Sequence, residues 1–271
     1  QLEWTPGDQV TPEVVDKVRG DLAIETITKG VEKGIKVIVV DGVNNRPFRQ
    51  ALGRRNVYIY DETDRGMSPS RQQGFRIAHS MPDGLANLWT EPEKVSIVED
   101  CFDQLMSPVF RGQADMTIPL RDDEAFATYP NFQADNERES NRLWNDLLKA
   151  EGILPPGHDG YDAWIGPRGW HRDITDLFLR MYKTTDPTAN LVRPDEYCNA
   201  IFFPIIAALV EGKRVLSVPV PYRHPEIQKA TEQDSPEFRA RKNTNNATIL
   251  ETTKEYLAFL RGESSKLALV V

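Results

Sequence analysis

Apolar residues recur at helical spacing over residues 11–33, opened by Thr11, Pro12 and Glu13 and closed by Gly34, so the chain is expected to begin with a helix. The period then changes. IKVIVVDG, from Ile35 to Gly42, is an almost unbroken apolar run bounded by an aspartate and a glycine, which suits a strand buried on both faces. NVYIYDE from Asn56 reads as a second strand, and GMSPSRQQGFRIAHS as a helix that opens at about Ser68. LANLWT is a third strand, EPEKVSIVEDCFDQLM a helix, and ADMTIPLR from Ala114 a fourth strand. This alternation predicts an α/β fold with a doubly wound, mostly parallel central sheet and flanking helices. Such sheets bind ligands beyond the carboxyl ends of their strands. Asp41, Arg71, Glu91, Glu93 and Arg121 all fall just past expected strand ends or at a helix start. No apolar strand precedes the first helix, so either Leu2, Glu3 and Trp4 are its remnant or it lies upstream of Gln1.

The second half is patterned differently. Residues 135–150 predict a polar helix. GILPPGHDGYDAWIGPRGWHRD is too aromatic for a linker and too rich in glycine for a helix, and reads as a structured functional loop. Residues 195–212 predict an apolar helix ending at Gly212, KRVLSVPVPYRHP a strand stopped by prolines, and Pro236 to Gly262 a helical tail. SSKLALVV, at the C-terminus, fits no single element.

Composition narrows the class. A chain of 271 residues suits one large domain. The net charge of −8 argues against a nucleic-acid partner, which needs a basic face, but leaves room for a local arginine pocket that takes an anionic small ligand. Cys101 and Cys198 show no paired spacing and read as buried thiols. No apolar run is long enough to span a membrane and no signal peptide is visible, so a cytoplasmic location is expected.

Candidate chemistry begins at LWTEPEKV. Thr90 and Glu93 have capping-box spacing, and Pro92 would sit in the first helical turn. Equally, Glu91 and Glu93 stand two residues apart at a strand end, as oxygen ligands for a hard divalent cation do. GMSPSRQQG offers backbone N–H groups, a helix dipole and Arg71 to a phosphate, or is a plain helix start. His224, rigid between Arg223 and Pro225 past a strand end, suits a third ligand beside two carboxylates, whereas His79, His158 and His171 have weaker positions. YDAWIGPRGWHRD combines aromatic faces with Asp162 and Arg168, as sugar recognition does, or is a loop packed by its own tryptophans. Arg121 opens an acidic stretch that also holds Tyr129.

In this order the motifs resemble those of GT-A fold glycosyltransferases of family 2, similar to the mannosylglycerate and glucosyl-phosphoglycerate synthases. The resemblance spans roughly residues 22–245. It implies a single large Rossmann-like domain, with residues 1–121 as the nucleotide-sugar half and 122–271 as the acceptor half with a helical tail. It places Asp41 against the nucleotide base, Gly66, Arg71 and Gly74 at the diphosphate, and WTEPEK in the slot of the metal-binding DxD motif. Lys94 and Arg121 join the diphosphate set, and Trp164, Gly166, Arg168 and Tyr129 the sugar and acceptor wall. Glu91, Glu93 and His224 would hold Mg²⁺ or Mn²⁺. Asp162, Asp195 and Glu93 are the candidate catalytic carboxylates. Glutamates stand where the family has aspartates, and the family's first strand is not visible. The implied activity moves a sugar from a UDP- or GDP-linked donor to an unidentified acceptor hydroxyl, with a homodimer as an open assembly state. A sugar-1-phosphate nucleotidylyltransferase and a non-catalytic nucleotide-sugar-binding protein are the alternatives.

Overall fold

The computed structural model describes residues 15–42, 46–186, 188, 190–232 and 235–270. The expected helix start at Thr11 and the strand remnant at Leu2–Trp4 lie outside them. The fold is mixed α/β. Its strands are β1 (Ile38–Asp41), β2 (Tyr58–Asp61), β3 (Ala86–Trp89), β4 (Met116–Leu120), β5 (Arg168–His171), β6 (Met181–Thr184), β7 (Val215–Pro219) and β8 (Leu267–Val270). In the first half the helices are α1 (Val15–Glu32), α2 (Arg46–Gly53), α3 (Met67–Ser80), α4 (Val95–Glu99) and α5 (Phe102–Phe110). Then follow α6 (Asp123–Ala127), α7 (Asn131–Ala150), α8 (Thr175–Leu179), α9 (Phe203–Val210), α10 (Glu226–Thr231) and α11 (Pro236–Leu260).

The sheet departs from the expected mostly parallel form. The central four strands run β3-β5-β4-β7, with β5 antiparallel to both of its neighbours and β7 parallel to β4. β1 and β2 form a separate parallel pair, and β6 and β8 an antiparallel one. The functional loop expected over residues 152–173 thus contributes the second strand of the main sheet. Gly169 permits this: a Cβ there would stand 2.6 Å from Thr117 Oγ1 on β4. Trp170 then stacks on Phe178 at 4.0 Å and meets Phe75 edge-on at 5.2 Å. β4 is buried over Met116–Pro119, as a strand covered on both faces should be. β1 is only half-buried, contrary to its apolar sequence, because among the described residues β2 is its sole sheet partner.

Several helices also differ from their pattern. The stretch expected to be helical from Glu91 to Met106 first makes a turn and then breaks at Asp100 and Cys101 into α4 and α5. The expected helix over 195–212 is a π-helix over Pro194–Phe202 that continues as α9. The C-terminal run that fitted no element is β8. The main core packs Trp144, Trp170, Phe178, Phe203, Ile206 and Tyr256 between the sheet, α7, α9 and α11. It draws on both sides of residue 121, as does the four-stranded sheet. Among the described residues no helix is long and apolar enough to cross a membrane.

Candidate functional site

A cavity of about 190 Å³ opens beyond the carboxyl end of β3. β3 ends at Trp89, and the chain turns through residues 91–94, closed by Lys94 N–H donating to the Glu91 carbonyl at 3.1 Å. The helix therefore begins only at Val95, with Lys94 at its N-cap and no side chain capping it. The Thr90–Glu93 capping box does not form; the Thr90 hydroxyl lies on the Glu91 carbonyl instead, at 3.1 Å. Both glutamates are left lining the cavity.

The Glu91 carboxylate is seated by two neighbours. Gly166 has φ +95°, and a Cβ there would fall 2.7 Å from Glu91 Cδ, so the glycine makes room for the carboxylate. Lys94 Nζ lies 3.3 Å from Glu91 Oε2 and donates to the Ile165 carbonyl. Burial works against the lysine's charge, but the Glu91 carboxylate, with smaller help from Tyr129 and Glu137, holds its pKa above the ordinary value. Arg71 reaches the same wall from α3. Its guanidinium sits 4.6 Å from the Trp89 ring and 5.9 Å from that of Tyr197, and Nη1 is buried without a partner among the described residues. Burial lowers its pKa and Glu91 opposes that.

The far wall comes from the second half of the chain. The Trp164 indole N–H donates to Asn246 Oδ1 at 2.9 Å. Tyr197 and Phe202 project from the π-helix, and Asn245 and Lys242 from α11. His224 stacks on Tyr129 at 4.4 Å and places Nε2 3.1 Å from Glu232 Oε2. Its backbone N–H is held by the Thr128 hydroxyl at 2.9 Å, and Nδ1 is buried without a partner among the described residues. Burial raises the Glu232 carboxyl, but the hydrogen bonds from His224 and Gln228 and the charges of His224 and Lys242 together outweigh it, and the pKa lies below the usual value.

Other expected site residues serve the scaffold. Arg121 is buried in a bidentate pair with Asp162, at 2.7 and 2.8 Å, and bonds Glu137 at 2.7 Å. Asp162 also accepts from Asn141 Nδ2 at 2.7 Å. Neither Arg121 nor Asp162 reaches the cavity, because each carries the other's charge in a dry interior. Only Glu137 of this trio faces the cavity, where Lys242 lies 3.8 Å away. Arg168 is fully buried, its guanidinium bonded to the carbonyls of Ala163 at 2.6 Å and Pro167 at 2.8 Å. Burial pushes its pKa down to about 10, with Glu91 opposing, so it remains a cation behind the Glu91 wall. Asp195 starts the π-helix, bonds Asn199 at 2.9 Å and lies outside the cavity lining. Asp41 pairs with Arg49, and Gly66 is the N-cap of α3 at φ +131°; neither lines the cavity. Gly74 packs α3 on β1, where a Cβ would stand 3.6 Å from Val40 Cγ2.

The structure therefore brings together Arg71, Glu91, Glu93, Lys94, Tyr129, Trp164, Gly166 and His224, and leaves Asp41, Gly66, Arg121, Asp162, Arg168 and Asp195 outside. Sequence reasoning missed Gln133, Glu137, Tyr197, Gln228, Glu232 and Lys242. The i,i+4 pairs Gln133–Glu137 and Gln228–Glu232 were the available signal, since each amide donates to its carboxylate, at 2.8 and 2.9 Å.

Among the described residues no three His, Cys, Asp or Glu side chains gather as a cation requires. Glu91 faces Lys94, and the Nε2 of His224 faces Glu232. Compared with known proteins, the chain matches no family model, no curated protein and no solved structure.

Proposed function

We propose that the protein is a glycosyltransferase of GT-A type that transfers a sugar from a nucleoside-diphosphate donor to an acceptor hydroxyl. The observation that carries this reading is the pairing of two cations, Arg71 and Lys94, at the end of β3 with a facing wall of Trp164, Tyr197 and side-chain amides. Cations on one side suit a diphosphate. Aromatic faces and amides on the other suit a sugar's C–H face and hydroxyls.

In this reading the bond between the anomeric carbon and the diphosphate oxygen breaks, and its electron pair stays on the diphosphate. Arg71 and Lys94 stabilise the charge that develops there. The acceptor oxygen forms the new bond and gives up its proton. Of the carboxylates expected to take that proton, Glu93 alone lines the cavity, whereas Asp162 and Asp195 do not. Glu93 is therefore assigned as the base.

A melting-temperature panel of UDP- and GDP-sugars tests the reading, because a ligand that binds the folded state raises its stability by mass action. At least one donor is expected to raise the melting temperature. Arg71→Ala is expected to weaken that donor's binding by about 1.5–3 kcal/mol, the worth of a hydrogen bond to a charged group. A panel in which no nucleotide sugar moves the transition would defeat the proposal.

A further inference from the structure

The cavity holds cations at the end of β3, and among the described residues no three His, Cys, Asp or Glu side chains gather there. Glu91 and Glu93 are the carboxylates at the strand end. Glu91 is fixed between Gly166 and the Lys94 ammonium, which is 3.3 Å from Oε2, and the Lys94 side chain is only 14% exposed. That ammonium is anchored from behind by the Ile165 carbonyl and lies 5.9 Å from the Tyr222 ring centroid. A divalent ion approaching Glu91 would meet this fixed positive charge. His224, the remaining expected ligand, stacks on Tyr129 and directs Nε2 at Glu232.

Two of the cations that line the cavity, Arg71 and Lys94, stand beside Glu91 and Glu93 at the strand end, and Lys242 adds another on the far wall. Among the described residues Arg168 forms no ion pair of its own, and it adds its field from behind Glu91.

We propose that Lys94, held by Glu91 and Ile165, is the resident cation of this site, and that the protein binds and releases a nucleoside diphosphate without a divalent metal. The role assigned is electrostatic: the ammonium faces the diphosphate oxygens and offsets the charge they gain as the sugar–oxygen bond breaks. A lysine can do this because its point charge sits on a flexible stem, while Glu91 and Ile165 fix where the charge stands. The inference rests on the glycosyltransferase reading and adds to it the nature of the charge partner.

The test is calorimetric titration of UDP and GDP into the full chain, first in EDTA and then with Mn²⁺ or Mg²⁺ in excess. The dissociation constant is expected to agree within about twofold between the two conditions, since the contacts do not involve the ion. Direct titration of Mn²⁺, followed by its paramagnetic resonance signal, is expected to show no stoichiometric site. Lys94→Ala is expected to weaken nucleotide binding tenfold or more in EDTA, with no recovery on adding Mn²⁺. Binding that drops tenfold or more in EDTA, or one Mn²⁺ bound per chain, would overturn the metal-free proposal and leave the glycosyltransferase reading standing. Failure of UDP and GDP to bind in both conditions would overturn both together. The wild-type arms decide the matter even if Lys94→Ala does not fold.

Discussion

Gly166 shows how a single residue can be noticed for one reason and matter for another. Its place among aromatics suggested close approach by a ligand, whereas the structure gives its missing side chain's space to the Glu91 carboxylate. Gly166→Ala is therefore expected to act without any ligand present. It forces an alanine to φ +95° and drives Glu91 away from Lys94. Backbone strain of this kind costs about 1–3 kcal/mol, so a urea melt of the apo protein should show a loss in that range. An apo protein of unchanged stability would mean the carboxylate can move aside freely. Arg168 and Arg121 make the complementary point. Arg121, past a strand end, was expected at the diphosphate and Arg168, in the glycine-rich stretch, in the sugar wall, and nothing in the sequence showed that Asp162 and two carbonyls would claim them.

At the scale of elements, one buried network fastens the cavity floor. Arg121 follows β4, Glu137 lies on α7, and Asp162 precedes β5, so the three side chains tie strand, helix and loop together. Arg121→Met would leave two buried carboxylates without their cation, and breaking such a pair on one side costs about 3–5 kcal/mol. Chemical denaturation of that variant against wild type measures it. The same network makes stability depend on acid. Burial raises the Glu137 carboxyl, but Arg121, Lys242 and Lys94 together outweigh it and the folded pKa lies below the unfolded value of 4.5. The folded state thus binds fewer protons than the unfolded one. Glu137 therefore contributes stability above about pH 4.5 that disappears as pH falls through the lowered folded value. Urea unfolding at pH 7 and at pH 3.5 should show the loss, with a shallower dependence in Glu137→Gln.

How far the elements were legible follows from their period. β3 and the place of Glu91 and Glu93 just beyond it were readable because an apolar strand ends at Trp89 and two carboxylates follow at once. β5 was not, because RGWH has two residues that look like loop and no alternation to betray a strand. The π-helix was read as an α-helix, since its apolar run fits either winding, and with it went Tyr197 as a cavity residue. His224, expected as a metal ligand, lines the cavity, but its stack on Tyr129 and its bond to Glu232 depend on tertiary packing that no local spacing reports.

For the whole molecule, the order β3-β5-β4-β7 places the last-synthesised strands inside and beside the earlier ones. Hydrogen exchange should be slowest at Met116 and Thr117, which are fully buried between two partner strands, and faster along β1 and β2, which are half-buried and mostly exposed. Equal protection in both sheets would contradict this reading of the core. The position of β5 has another consequence. On the ribosome, β3 and β4 emerge first, and the strand that joins them is still some fifty residues away in the tunnel or beyond. Until Arg168–His171 arrives, both strands present open edges, a state that invites pairing with other nascent chains. The Arg71 and Glu91 wall and its Gly166 seat belong to opposite sides of that delay. The binding cavity is thus assembled after most of the chain is made, and residues 1–121 released alone should clump rather than fold.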